Sequence, residues 1–71
     1  MNKAAMRSVM ARNEDTQEKL AEALDLQTSG LNARINGRID FRAGEICRII
    51  RRYKLSPEET MEIFFDEEAS K

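Results

Sequence analysis

Between Gln27 and Arg38 the chain reads QTSGLNARINGR. Thr28, Ser29 and Asn32 bring hydroxyl and amide groups on short stems, able to donate and accept hydrogen bonds. Ala33 and the Thr28 methyl bring small apolar contacts. Arg34 and Arg38 bring permanent positive charge. These residue types suit polar recognition of a surface rather than the breaking of bonds.

Catalysis asks for other residues. The 71-residue chain has no histidine and one cysteine. No nucleophile–base pair, phosphate-cradling glycine loop or zinc-ligand spacing can be assembled from it. The reading is therefore non-enzymatic, with no metal and no cofactor. A single cysteine forms no internal disulfide and fits a reducing interior. The longest strongly apolar run, Ile63-Phe64-Phe65, is far short of a membrane span, and no signal-peptide core follows Met1. A soluble, cytoplasmic protein of one domain, residues 1–71, is expected.

The net charge of −1 averages two unlike parts. Residues 1–54 carry 11 Lys/Arg against 7 Asp/Glu, whereas residues 55–71 carry 1 Lys against 6 Asp/Glu. A basic body joined to an acidic end is compatible with a polyanionic partner, although segregated charge also arises on solvated faces. The acidic cluster Glu58, Glu59, Glu62, Asp66, Glu67 and Glu68 reads as solvated and helix-supporting, or as a competitor for the basic body.

The elements that hold the polar stretch are helical throughout, since no segment alternates apolar and polar residues over a strand length. A first helix is expected over about 2–12, with Met6, Val9 and Met10 as its stripe. A second begins near Asp15-Thr16, where Asp15 and Glu18 have capping-box spacing. It carries Leu20, Ala21 and Leu24. A third starts at Thr28 as N-cap, places Leu31 and Ile35 four apart, and stops at Asn36-Gly37. A fourth runs from Arg42 or Ala43 to Lys54, with Ile46, Ile49, Ile50 and Tyr53 inward. Ser56-Pro57-Glu58-Glu59 starts a fifth, and residues 66–71 fray. Cys47 reads as a small core or boundary residue, and Met6, Met10 and Met61 as core fillers. Arg48, Arg51 and Arg52 read as a solvated face, with a flanking phosphate contact as the alternative.

Two short helices separated by about three residues, with Ala21 small at their crossing and one shared apolar core, make the pattern of a helix-turn-helix over about 16–36. The second helix of such a unit can enter the DNA major groove, and its leading face must then be lightly built. Gly30, costly in a helix, points to close backbone approach by DNA or by a neighbouring helix. The same pattern would also serve an αα-hairpin in a bundle without a DNA role. In that case Gln17 is a plain helix-start residue, and Thr28, Ser29 and Asn32 serve capping and solubility.

TQEKLAEAL followed by LNARINGR, then DFRAGEI and LSPEETMEIFF, resembles the lambda-repressor-like (XRE-type, Cro/repressor) helix-turn-helix family, in particular its small phage and prophage regulators. The resemblance spans roughly residues 5–65 and implies an all-α, compact five-helix DNA-binding domain. It implies base contacts from Gln27, Thr28, Ser29, Asn32 and Ala33. It implies phosphate contacts from Gln17, Asn36 and Arg38, to which the local charge adds Arg34 and Arg42. Three positions depart from the family pattern. Asp25 stands where the turn usually has Gly. Arg34 and then Ile35 stand where an apolar residue three after Leu31 is usual. Arg42 stands where a Thr or Ser cap is usual.

Ile63, Phe64 and Phe65 span about 200° of a helix and cannot all face inward. An exposed apolar side chain among them favours a homodimer contact formed by Met61, Phe64 and Phe65. The resulting expectation is a transcriptional regulator that binds a double-stranded DNA operator as a dimer, which the resemblance to that family makes a phage or prophage repressor. The alternative is a protein-interaction or antitoxin-like bundle that binds a partner protein. No membrane or small-molecule substrate is implied.

Overall fold

The apolar stripes of the sequence recur at helical spacing, and each becomes the inner face of a short helix. A computed structural model describes residues 1–65 as α1 (Lys3–Arg12), α2 (Gln17–Ala23), α3 (Thr28–Ile35), α4 (Ala43–Tyr53) and α5 (Pro57–Phe64). The described residues are all-α, without a strand. The expected fraying of 66–71, and the acidic residues Asp66, Glu67 and Glu68, lie outside them. The radius of gyration is 11.1 Å, close to the roughly 11 Å of a folded chain of this length. Among the described residues no helix is long and apolar enough to cross a membrane.

Met6, Val9 and Met10 on α1 meet Ile63 on α5, while Leu20 and Ala21 on α2 meet Leu31 and Ile35 on α3. Ile49 and Tyr53 on α4 and the flanking Leu24 and Leu55 complete a single core. The Asn2 N–H donates to the Ile63 carbonyl at 2.7 Å, which fastens the start of α1 to α5. Phe41 lies edge-on to Phe64, with centroids 5.6 Å apart, and so covers the end of α5.

N-cap side chains close three of the helix starts. Asn2, Thr16 and Ser56 accept from the N–H groups of Ala5, Lys19 and Glu59, and Glu59 accepts the Ser56 N–H in return at 3.1 Å. This reciprocal pair is the one expected from Ser56-Pro57-Glu58-Glu59. The α2 cap differs from expectation. Thr16 takes that role, because the Asp15 carboxylate is drawn away to α4: Arg52 grips it at 2.8 and 3.0 Å, and the Tyr53 hydroxyl donates to it. Nor does Thr28 cap α3. It is the first helical residue, and the N-cap, Gln27, makes no side-chain bond.

The helix ends share one device. After α1, α2 and α3 the chain turns through a left-handed residue, and the N–H groups beyond fold back onto the last carbonyls. For α2, the Asp25 N–H reaches the Glu22 carbonyl at 3.1 Å and the Leu26 N–H reaches Ala21 at 2.8 Å, the double bond of a Schellman ending. Asp25 has φ 59°, Glu14 φ 52° and Gly37 φ 81°. Lys54, with φ 52°, turns the chain in the same way after α4, where the Leu55 N–H bonds Ile50 at 3.0 Å. Only one of the four positions uses glycine.

Several side chains face the other way from expectation. Cys47 is exposed, because it sits two residues from the buried Ile49 and so on the opposite side of α4. Met61 is 57% exposed and fills no core space; Ile63 takes the inward position of α5. Ile46 is half-buried and remains at the rim of the core. Arg52 belongs to the Asp15 ion pair rather than to a merely solvated face.

Candidate nucleic-acid interface

Leu31 and Ile35 anchor α3 in the core, which decides which residues turn outward. At about 100° per residue, positions 28, 29, 32, 33 and 36 share an arc of about 140° that runs from beside Ile35 round to the side opposite the core. Thr28, Ser29 and Asn36 are exposed, and Asn32 and Ala33 are half-buried. Gln27, just before the helix, is exposed as well. The five residues named as base contacts therefore lie together along one open edge, with no large side chain among them.

The turn that presents α3 runs from Leu24 to Gln27. It is set by the left-handed Asp25 and by the half-buried Leu26, which packs against the core. Aspartate tolerates this conformation better than most residues. Gly30 does not mark a close helix crossing. A Cβ added there would meet only the tip of Arg34, at 3.5 Å.

Arg34 is the main correction to the phosphate set. Its guanidinium points inward, only 9% exposed. Its Nε donates to Glu45 Oε1 at 2.9 Å and its Nη1 to the Gly30 carbonyl at 3.0 Å. Glu45 Oε1 also accepts the Arg42 N–H at 2.9 Å, closing the first turn of α4. One carboxylate thus binds α3 to the start of α4. Burial alone would raise the Glu45 pKa. The Arg42 N–H and then the Arg34 guanidinium outweigh it and hold the carboxyl below its ordinary value. Arg34 is buried in this clamp and is withdrawn as a phosphate contact. Its position three after Leu31 already departed from the family pattern, and here it replaces an apolar packing contact with a charged one.

Asn36 is engaged too. Its Nδ2 donates to the Asn32 carbonyl and to Asn32 Oδ1, both at 3.0 Å, so its two donors already have acceptors and it has no spare N–H for a phosphate. Its Oδ1 accepts from Lys3 Nζ at 3.2 Å. Lys3 is a residue that the sequence reading missed. It lies 33 positions away, and only the docking of α1 carries its ammonium to the end of α3. Arg38 and Arg42 are exposed on either side of the α3–α4 connection. Arg42 and Arg48 both border a shallow hollow beside the turn that precedes α3. Gln17, at the first position of α2, is half-buried.

Away from α3, the buried Asp15 carboxylate is the centre of an ion-paired cluster. Its hydrogen bond to Arg52 lowers its pKa most, burial opposes, and the Tyr53 hydroxyl and Thr16 N–H add to the lowering, to about 2. Burial, and then the Asp15 carboxylate, push the Tyr53 phenol up. This triad ties the α1–α2 connection to α4 and lies outside the α3 face. Among the described residues no group of three or more His, Cys, Asp or Glu side chains could hold a metal ion.

Of the dimer candidates, Met61 and Phe65 are 57% and 53% exposed, while Phe64 is half-buried against Phe41. No family model matches the chain, and neither a curated protein nor a solved structure matches it.

Proposed function

We propose that this chain is a sequence-specific double-stranded DNA-binding regulator of the lambda-repressor-like type, acting as a dimeric phage or prophage repressor. In this reading α2 and α3 form a helix-turn-helix. One observation carries it: the outward arc of α3 bears only short side chains, Thr28, Ser29, Asn32 and Ala33, on a helix anchored from behind. A helix of about 10–12 Å diameter enters a major groove of about 12 Å only with such a face. Arg38, Arg42 and Lys3 flank the arc with positive charge suited to the sugar-phosphate walls. The exposed Cys47 thiol is compatible with a reducing cytoplasm.

The test is selection from a random duplex pool. The expected product is a palindromic consensus with half-sites about 34 Å apart, bound with an affinity whose logarithm falls linearly with log salt. Absence of salt-sensitive binding to any duplex would falsify this reading.

A second reading, a partner-binding or antitoxin-like bundle, is favoured by the exposed Met61 and Phe65. It predicts a complex with a partner protein that persists at high salt and retains no DNA.

A further inference from the structure

The outward face of α3 contains a short relay of amides whose polarity is determined from its far end. Lys3 Nζ can only donate, so the Asn36 atom that faces it must be the oxygen. That turns Asn36 Nδ2 toward Asn32. There it meets the Asn32 backbone carbonyl, which can only accept, and the Asn32 side chain. The Asn32 atom that receives it must therefore be Oδ1. A donor at one end and a backbone acceptor at the other leave no freedom to flip either amide.

The consequence falls on Asn32. An unconstrained asparagine offers an acceptor and a donor side by side, the pattern that matches adenine N6 and N7. Here the acceptor is turned along the helix, where it takes a hydrogen bond from Asn36. Nδ2 makes no hydrogen bond within the described chain, and no buried polar side-chain atom lacks a partner, so Nδ2 of the half-buried Asn32 keeps some exposure to solvent. We infer that the Lys3–Asn36 relay makes Asn32 a donor-only reader, matched to the paired acceptors N7 and O6 of guanine rather than to the edge of adenine. Lys3 and Asn36 are the positioning residues of this contact. The inference rests on the DNA-binding reading above.

The test compares the preferred operators of the wild type, N32A, K3M and N36D, each selected from the same random duplex pool, with thermal melting to check folding. In the wild type, the base position whose preference disappears in N32A is expected to be guanine, favoured over adenine by about ten-fold. N36D keeps an acceptor for Lys3 but loses the donor to Asn32. The Asn32 amide then turns to donate inward and presents Oδ1, so the preference at that one position moves to adenine or cytosine. K3M removes the donor end of the relay, leaves the Asn32 carbonyl alone to orient Asn36, and weakens the guanine preference at the same position without reversing it. A role confined to helix stability or phosphate attraction would lower affinity evenly and leave the base unchanged. An Asn32-dependent position that is not guanine, or one that N36D leaves as guanine, overturns the inference while DNA binding stands. Lack of binding by the wild type to every duplex overturns both.

Discussion

The Arg34 guanidinium and the Glu45 carboxylate form an ion pair at 2.9 Å, with both side chains about nine-tenths buried. It links α3 to the start of α4, beside the Leu31 and Ile35 contacts that seat the helix in the core. Removing one partner leaves a buried charge without compensation, at a cost of about 3 kcal/mol. That is a large share of the roughly 5 kcal/mol available to a small domain. R34M or E45L alone is expected to lower the urea midpoint sharply, and the R34M/E45L pair to recover most of it. If the pair also sets the presentation of α3, the recovered double variant folds but selects a broader operator.

Asp15 gives an acid-sensitive component of stability. Its pKa lies near 2 in the folded chain against an ordinary 3.8, so folding favours the ionised form. The contribution is complete above about pH 4 and is lost as pH falls toward 2. It amounts to about 2 kcal/mol at neutral pH. Glu45 and Glu59 are lowered as well, so the acid limb has more than one source. D15N is expected to be less stable at pH 7 and to show a shallower loss between pH 4 and 2. Thermal melting across that range measures it.

Glu14, Asp25 and Lys54 hold left-handed backbone without being glycine. Relief of that strain by E14G, D25G or K54G is expected to stabilise the fold by about 1 kcal/mol each, or roughly 4–8 °C in melting temperature. G37A, which places a Cβ at φ 81°, is expected to move it the other way. E14G and K54G leave the candidate interface untouched, so any duplex affinity should be unaltered.

Gly30 has room for a methyl group, since only the Arg34 tip lies within reach. G30A is expected to raise stability by up to about 1 kcal/mol through helix propensity alone.

Within the proposed function, Ser29 and Arg38 separate two kinds of contact. S29A is expected to change which operators are preferred while leaving non-specific affinity nearly intact. R38A is expected to weaken every duplex alike and reduce the salt slope by about one. Binding isotherms at several salt concentrations distinguish the two.

Much of the architecture was legible in the residues. Five helices, their stripes, the Ser56–Glu59 cap and the left-handed Asp25 turn follow from spacing of three and four and from backbone preferences within a few positions. These are short-range effects, and a linear sequence carries them directly. The open arc at Thr28, Ser29, Asn32 and Ala33 follows as well, once Leu31 and Ile35 define the inner side.

The destinations of the charged and polar side chains did not follow. Arg34 was expected at a phosphate and lies against Glu45. Asp15 had the spacing of a cap and is held by Arg52 and Tyr53, 37 and 38 positions on. Asn36 was expected to contact phosphate and is turned to Asn32 by Lys3. A long or polar side chain has many equivalent partners in sequence, and only the packing of the helices decides which of them comes within 3 Å. The helices and most of their inner faces were thus determined by the sequence alone, through local dihedral and periodic constraints, while Met61 and Ile46 were placed by packing. The tertiary structure decided which outer groups are already spent on one another.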